Sequence, residues 1–478
     1  MKKFFLSAAA VMAAFALHAQ EAAEADTAQA PTIISLQQAL QIALSENASV
    51  KVADMEITRT GYARKGTYSA LFPQVDGSAS FQRTIKKQVM YMDFDTSSLT
   101  GDTSSDSSSS SSSSGGFEVG RWNTWSAGVS ASMPLVNAQL WESLKISDQD
   151  VELAVEKARS SRLEMVNQVK QAYFACLLAR ESFNVYKSVY DNALANLELI
   201  QKKYNAQRAS ELELTRAKTT LANAIPNVYD AESSKFISLW QLKAVMGVDL
   251  DLNIDIAGSL DDYAEHMLYD LGESQDLSLE NNSSMRQLAI QAEQLANTVK
   301  MQKYTTLPSL ALSYSYSYSA MTNDFKFSEY KWTPYSYVGV SLSIPIFAGG
   351  KRHYAIKQAQ MQKNELDVNK ANTERQLKIS IRQYLNKMET GMKSYTSAES
   401  ALESARKAYD IAVRSYDVGR STLTDLNDAQ LALTQAQLSV SQAIYNFVIA
   451  KANLENTLGA DFIDEDGNVQ LNKTYTNE

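Results

Sequence analysis

The chain has 478 residues, a formal net charge of −9 at pH 7 and a single cysteine, Cys176. The acidic balance argues against nucleic acid as a partner, because phosphate backbones are bound through an excess of Lys and Arg. One cysteine excludes an intrachain disulfide, and its position excludes lipid attachment to an N-terminal cysteine. We expect Cys176 to be a small core residue.

The N-terminus has the layout of a secretory signal peptide. Lys2 and Lys3 precede an apolar run from Phe4 to Leu17, and a polar stretch follows. We therefore predict a signal peptide at residues 1–19 and a mature chain that begins near Gln20, with a formal charge of −9 − 2 = −11 after loss of the two lysines. No apolar run of transmembrane-helix length follows, so a membrane role would have to come through strands.

Alternating polar and apolar residues predict two pairs of β-strands. In the first strand, every second residue from Val75 to Phe81 is apolar or small, and in the third, tyrosines from Tyr314 to Tyr318 alternate with serines. Strands of membrane barrels alternate in this way because one face meets lipid and the other water. A soluble sandwich with one buried face would give the same pattern. Aromatic residues also cluster where strands meet loops, as at a membrane interface: Trp122, Trp125, Tyr330, Trp332 and Tyr335.

Very long helices are predicted after each strand pair. Residues 136–204 and 346–416 contain few breakers, and at 1.5 Å per residue each stretch would be roughly 105 Å long. In the closing helix, apolar residues recur at spacings of three and four, which is the seam of a coiled coil: Leu426, Ala429, Leu433, Ala436, Val440, Ala443, Phe447, Ala450 and Leu454. A second line, from Leu431 to Ala452, predicts neighbours on two sides. Pro226 is expected to kink its helix.

The two halves of the sequence resemble each other, and prolines and glycines that break helices occur at matching positions in both. Pro73 and Pro308 stand 235 residues apart, and Pro134 and Pro345 stand 211 apart. Ala-rich helices align with themselves by chance, but chance does not place Pro and Gly in register between strand patterns. We therefore predict a tandem duplication of one structural unit.

The domain boundaries follow from this repeat. The first repeat covers residues 20–250 and consists of a helix, a strand pair with a Ser-rich loop at 85–121, and a long helical hairpin. The second covers 279–460 with the same plan and a strand pair at 308–344. An equatorial segment, 251–278, joins the repeats, and a tail at 461–478 ends the chain.

Four strands cannot close a membrane barrel, because the smallest barrels use about eight and open edges leave unpaired backbone groups in lipid. The chain is therefore expected to oligomerise. The tract from Ser104 to Gly116 is too polar to pack and is predicted to be a disordered extracellular loop. The expected fold class is mainly α with a membrane β-barrel, built from long antiparallel coiled-coil helices and four strands per chain.

Two segments resemble the TolC family of outer membrane efflux proteins. Ser35–Asn47 (SLQQALQIALSEN) is similar to the N-terminal pattern of that family, and Tyr416–Ala429 (YDVGRSTLTDLNDA) is similar to its second helical tip. The duplicated strand pairs match its architecture, and the similarity spans nearly the whole mature chain.

The resemblance implies a homotrimer with a twelve-stranded barrel in outer membrane lipid and a twelve-helix tunnel (an α-barrel) across the periplasm. It also implies a passive exit duct of a tripartite efflux system, joined to a periplasmic adaptor (membrane fusion) protein and an inner-membrane transporter. Type I protein secretion is the alternative.

Two aspartates just past the second tip, Asp425 and Asp428, would lie on one helix face. The resemblance implies that they form an acidic constriction at the periplasmic entrance. Three copies would gather six carboxylates, whose repulsion raises some apparent pKa values and attracts cations. The alternative is that acids near a helix N-terminus complement the helix macrodipole.

Contacts between tips are expected to hold the entrance closed. Tyr416 and Arg420 lie at the second tip and Glu213 follows the first, so a Tyr–acid hydrogen bond and an Arg–Glu ion pair are the predicted latches. A solvated charged helix is the alternative, because exposed ion pairs contribute only about 0–1 kcal/mol. Arg420 departs from the family pattern, in which the basic residue more often matches Ser421.

The resemblance also implies that the two helical tips dock the adaptor: Gln207, Arg208, Ala209 and Ser210 in the first tip, and Gly419, Arg420, Ser421 and Thr422 in the second. Gly419 suits a helix-ending turn that needs a positive φ. Its counterpart is Gln207, where the family usually has Gly, which leaves the geometry of the first tip and its fit to an adaptor open.

No enzyme class fits the sequence, which lacks metal-ligand spacing, a nucleophile elbow and a phosphate loop. We expect no catalytic residue, metal or cofactor, and His266 and His353 are interpreted as surface or packing residues. A trimeric coiled-coil surface fibre or adhesin would also combine long helices with four strands per chain. Against it, the duplication gives helical hairpins that return to the membrane. The sequence does not identify the exported substrate, the pump or the adaptor.

Overall fold

The computed structural model describes residues 31–91, 117–264, 267 and 277–459. The predicted signal peptide, the tract Ser104 to Gly116 and the predicted C-terminal tail lie outside these residues, as does His266.

The chain divides into two compact units. The first, called the helical unit below, contains Met1–Asp54, Lys157–Met285 and Thr373–Glu478; the second, called the sheet unit, contains Met55–Glu156 and Arg286–Asn372. Four helices cross from one range to the other, so neither unit is a continuous stretch of sequence. The predicted repeats are continuous stretches of sequence and do not coincide with these two units; they stay a proposal.

The described part of the chain is mainly helical, and its first half runs in this order: β1 (Thr32–Ile34), α1 (Leu36–Glu46), α2 (Ala48–Ser69), β2 (Gln74–Arg83), β3 (Gln88–Met90), β4 (Phe117–Val119), β5 (Asn123–Val136), α3 (Ala138–Asn205) and α4 (Glu211–Met246). The second half contains β6 (Ile254–Ile256), α5 (Ser283–Tyr304), β7 (Ser309–Thr322), β8 (Thr333–Ser343), α6 (Lys351–Asp417) and α7 (Leu423–Leu458). Short 3₁₀ turns lie at Asp261–Tyr263 and Phe327–Glu329.

The sheet unit contains one antiparallel sheet with strand order β2-β5-β7-β8. These are the four strands that the alternation predicts. The register places Phe81 opposite Trp125, and the hydroxyl groups of Ser80 and Ser126 share a hydrogen bond of 2.7 Å. The ladder between β5 and β7 is irregular at Pro134, whose nitrogen has no proton to donate. Strands β3 and β4 form a separate short antiparallel pair.

A second, parallel pairing in the helical unit was not predicted. Strand β1 pairs with β6, so that Thr32 lies opposite Ile254. Helix α3 fixes this pair from the side: the hydroxyl group of Tyr173 donates to the carbonyl oxygen of Ala257 at 2.7 Å, and the Arg180 guanidinium donates to that of Ile256 at 2.7 Å. The N-terminal strand β1 is thereby held against β6, which lies in the segment between the two halves of the chain.

The core of the helical unit lies around these strands and along α7. From Leu433 onward every residue of the predicted coiled-coil seam is buried, as that prediction required. Cys176 is also buried, which confirms its expected core position, and burial raises the pKa of its thiol to about 11. Helix α4 continues through Pro226, whose predicted kink stays a prediction.

Helix α6 begins five residues later than predicted. It starts at Lys351 rather than Ile346, because Gly349 and Gly350 take positive φ values of 57° and 82°, which a right-handed helix does not accommodate. Its end at Asp417 and the bounds of α3 agree with the prediction to within two residues.

Candidate functional site

The two helical tips of the helical unit share one backbone geometry. At the first, the amide of Gln207 donates to the carbonyl oxygen of Tyr204, and Arg208 donates to Lys203, both at 2.8 Å. At the second, Gly419 and Arg420 repeat these bonds, at 3.0 and 2.8 Å, to the residues 212 positions further along the chain. Such paired bonds close a helix when the residue after its end takes a left-handed conformation.

Gln207 takes this conformation without being glycine. Its φ is 58°, against 74° for Gly419, and it is the non-glycine residue with positive φ among those the structure describes. The first tip therefore keeps the geometry of the second. The cost is backbone strain, because a side chain with a left-handed φ meets the following carbonyl oxygen.

Both helices that leave the tips begin with a capping box. Ser210 accepts from the amide of Glu213 at 3.2 Å, and the Glu213 carboxylate accepts from the amide of Ser210 at 3.0 Å. Thr422 and Asp425 make the same reciprocal bonds, at 3.2 and 2.8 Å. Each pair satisfies two amide groups that a helix start leaves free.

Asp425 therefore has a structural task within the single chain. Its carboxylate also accepts from the Thr422 hydroxyl group at 2.7 Å. Bonds from the backbone and side chain of Thr422 lower the pKa of Asp425 below its ordinary value. Asp428, one turn further on, is exposed and borders a groove between α6 and α7. The two aspartates thus lie close in sequence but have different surroundings.

The predicted latch residues do not bind one another within the chain. Glu213 is engaged in its capping box, and among the described residues no acceptor is found for the exposed Arg420 guanidinium. Tyr416 is half-buried, with the Lys203 ammonium 5.2 Å from its ring centre. Burial, then the nearby charges of Glu213 and Asp417, raise the pKa of Tyr416. Glu213 is thus near enough to Tyr416 for its charge to act on the phenol, but no hydrogen bond joins these two described residues.

A small apolar cluster lies behind the tips: Ile200, Leu214, Ala217 and Leu423, with Leu197, Ala209, Tyr416 and Leu426 at its border. Two polar contacts flank it, since Arg216 donates to the Thr424 hydroxyl group at 3.4 Å and Asn427 donates to that of Thr220 at 3.2 Å. Sequence reasoning missed this cluster. Its signal was available, since Leu423 lies one step before Leu426, the first residue of the predicted seam of α7.

The groove beside Asp428 is lined by small and polar side chains. It has a volume of about 1010 Å³ and runs between α6 and α7. Leu431, on the second apolar line of α7, lies at its border and is 64% exposed. Within one chain, this line is therefore largely uncovered near the tip, although Ala452 at its other end is buried.

The sheet is strongly two-sided. One face carries apolar side chains of all four strands, including Val75, Val129, Leu312 and Val340, while the opposite face of β7 carries Ser313, Ser315, Ser317 and Ser319. The apolar face is largely exposed in the single chain, for example at Val338 (71%).

Two further features bear on function. In the described ranges, no helix is apolar over a stretch long enough to cross a membrane. Nor do three or more His, Cys, Asp or Glu side chains gather anywhere in those ranges as a metal site would require.

Known proteins share the sequence pattern of this chain. The model of the family described as "Outer membrane efflux protein" matches residues 39–248 and 275–460. The outer membrane protein TolC of Vibrio cholerae is 21% identical over 347 residues, which cover 70% of this chain and 76% of that protein. The alkaline protease secretion protein AprF of Pseudomonas aeruginosa is 24% identical over 333 residues, 68% of each chain.

Solved structures agree on the fold. The CmeC outer membrane channel of Campylobacter jejuni superposes with a TM-score of 0.68 at 19% identity, covering 95% of this chain and 92% of that one. The family match extends over most of the sequence, including both helical hairpins and all four strands of the large sheet. This chain therefore belongs to the outer membrane efflux protein family and is an outer membrane channel with a periplasmic tunnel.

Proposed function

We propose that this channel is the passive exit duct of a tripartite efflux system. The observation that carries the proposal is the pair of matching helical tips, which present two nearly equivalent surfaces at the ends of two long hairpins. A duct needs no energy source of its own, so an inner-membrane transporter would drive export and a periplasmic adaptor would join it to the tips.

The working form is a homotrimer. The sheet has four antiparallel strands, so its edge strands β2 and β8 run in opposite directions. When β8 of one chain pairs with β2 of the next, the new pair is antiparallel as well, and three copies close a twelve-stranded barrel without an open edge. The exposed apolar face would meet lipid and the serine-rich face would line the lumen.

Tandem duplication accounts for the matching halves. The tip bonds, the capping boxes and the glycines that end α4 and α7, Gly247 and Gly459, all recur at an offset of 212 residues. We propose repeats at 20–250 and 279–460 joined by 251–278.

The entrance is formed by the tips. Asp425 and Asp428 of three chains make the acidic constriction, and Tyr416 and Arg420 meet Glu213 of a neighbouring chain to hold it closed. These contacts between chains are supported by what a single chain leaves unpaired, namely the exposed Arg420 side chain and the exposed carboxylate of Asp428.

The adaptor docks on Gln207, Arg208, Ala209 and Ser210 and on Gly419, Arg420, Ser421 and Thr422. Gln207 keeps the left-handed turn, so both tips offer a similar backbone to one adaptor. Type I protein secretion is a second candidate, because one relative is described as an alkaline protease secretion protein. The transported substrate distinguishes the two.

A deletion strain tests the proposal directly. Export of antibiotics, metal ions and secreted proteins is measured in the deletion strain, in a complemented strain, and in a strain carrying a chain with Gly419→Pro. Loss of efflux of small molecules, with secretion intact, supports the efflux duct; the reverse supports secretion. Site-specific crosslinking from Arg208 and Ser421 to periplasmic proteins tests docking, and a channel that exports normally without any crosslinked partner would contradict it.

A further inference from the structure

Exposed aromatic rings surround one end of the sheet, where loops connect the strands. Phe81 stacks against Trp125 with ring centres 4.2 Å apart, and Phe327 meets Trp125 edge-on at 5.1 Å. Phe325 lies 6.2 Å from Phe81. These rings lie at the apolar face, yet Phe325 and Phe327 remain 51% and 56% exposed. We call residues 81–91, 117–123 and 323–332 the loop-end collar.

The collar is fixed in place by hydrogen bonds at its base. The backbone carbonyl oxygen of Asp324 accepts from the Asn123 amide at 3.1 Å, the Thr322 hydroxyl group at 3.0 Å and the Tyr330 hydroxyl group at 2.8 Å. Tyr330 and Asn123 are buried. These hydrogen bonds fix the backbone of the loop, so that Phe325 and Phe327 stay exposed. Exposed apolar patches of this kind are typical of interaction sites.

Cations lie around these rings. The Arg83 guanidinium lies 5.5 Å from the Phe325 ring centre, and the Lys87 ammonium lies 4.7 Å from that of Trp122. The collar also contains four exposed cations: Lys86, Arg121, Lys326 and Lys331. Six cations thus stand against three acids, Glu118, Asp324 and Glu329, in a chain whose formal net charge is −9. Positive charge is concentrated where the apolar face ends.

We propose that the loop-end collar binds the phosphate-bearing lipid of the outer leaflet. Acyl chains lie against Phe81, Phe325 and Phe327, and the phosphate groups are bound by the exposed lysines and Arg121. A soluble phosphate would use the cations but not the rings; a lipid with a phosphorylated headgroup uses both. The inference rests on the proposed membrane orientation, in which the loop end of the sheet faces outward and the helices join the opposite end.

Lipid retention by the purified full-length channel tests the proposal. The channel in detergent is mixed with a bisphosphorylated glucosamine-disaccharide lipid or with the same lipid after enzymatic removal of its phosphates, and bound lipid is counted by native mass spectrometry. The test variant is Lys86→Gln, Lys326→Gln and Lys331→Gln, which leaves the stacked Arg83 and Lys87 in place. The control variant removes three exposed lysines of α6: Lys378→Gln, Lys393→Gln and Lys407→Gln.

We expect the wild type and the control to retain the phosphorylated lipid about tenfold more strongly than the test variant, and the dephosphorylated lipid no more strongly than that variant. Retention that does not depend on phosphate, or that falls equally in the control, overturns the proposal. Planar-bilayer conductance of the same samples distinguishes a failure of lipid binding at the collar from a failure of the proposed channel function. A channel that conducts but binds lipid indifferently contradicts the collar alone, whereas one that never inserts contradicts the proposed function.

Discussion

In the proposed channel, Asp425 would be subject to two influences that move its pKa in opposite directions. Within the chain, hydrogen bonds from Thr422 lower it. In the proposed ring, repulsion among six carboxylates would raise some apparent pKa values. A lowered pKa in the folded state means that the stabilisation by the capping box is present above the unfolded value of about 3.9 and is lost as the pH falls through the folded value.

Single substitutions at the ring separate the cap from the cation site. In Asp428→Asn channels the lowered pKa of Asp425 should keep its carboxylates ionised, so cation block in planar bilayers should still be present at the ordinary pKa of an aspartate, about 3.9. Asp425→Ala should lower the melting temperature because the capping box is lost, whereas Asp428→Asn should leave it unchanged. A midpoint of block above about pH 5 in Asp428→Asn channels would show that repulsion exceeds the effect of the hydrogen bonds.

The strained residue at the first tip gives a second prediction. Gln207→Gly should raise the stability by up to about 1 kcal/mol, since the left-handed φ no longer opposes a side chain. Gly419→Ala should lower it by about 1 kcal/mol through the backbone alone, because a Cβ atom there meets nothing within 4 Å. Thermal unfolding followed by circular dichroism measures both. Destabilisation by Gln207→Gly would mean that the Gln207 side chain makes a contact between chains.

At the scale of elements, periodic features could be predicted from the sequence and distant pairings could not. The seam of α7 and the alternation in β2 and β7 are repeated local signals, so the buried residues of α7 and the two faces of the strands follow from spacing. Strand β1 has three residues and pairs with β6 more than 200 positions away, which no local pattern encodes. The capping boxes at Ser210 and Thr422 have a sequence signature that the prediction did not use.

The contact between α3 and α7 also escapes sequence patterns. The Lys170 ammonium donates to the Glu455 carboxylate at 2.9 Å, and the two side chains are only 1% and 5% exposed. Burial lowers the pKa of Lys170, and the charge of Glu455 opposes that shift. A lysine in mid-helix reads as a surface residue, so only the tertiary structure identifies this ion pair.

Breaking the buried pair should destabilise the protein more than replacing it. Lys170→Met or Glu455→Leu alone breaks the buried ion pair and should cost about 3–5 kcal/mol. The double variant removes both charges and should lose less, although Lys451 stays buried beside the site. Denaturant midpoints compare the three variants. The exposed pair Lys393–Glu389 is the control, and Glu389→Gln should change the midpoint little. Equal losses in the double variant and in either single variant would contradict the argument.

At the scale of the whole molecule, the proposed trimer rests on features of the sheet. Its edge strands leave backbone groups unpaired, and its apolar face is exposed, so both features require neighbours. The same holds for Leu431, whose side chain is 64% exposed on a line that is buried further along α7. Leu431→Asp should therefore weaken assembly and leave the helical content of a single chain unchanged, as measured by light scattering and circular dichroism.

Disulfide trapping between edge strands tests closure of the barrel. The one native cysteine, Cys176, is buried and can be replaced by Ala, so engineered cysteines report without background. A scan that pairs one cysteine in β2, at Ser78 or Ser80, with one on the same face of β8, at Gly339 or Ser341, should yield dimers and trimers on denaturing gels and nothing larger, because a ring of three has no free edge. Cysteines in the central strands, at Ser130 and Ser315, are the control and should link only within a chain, since these residues are already opposite each other. A ladder beyond three would indicate open-ended strand addition, and an absence of intermolecular links across the whole scan would contradict pairing of β8 with β2.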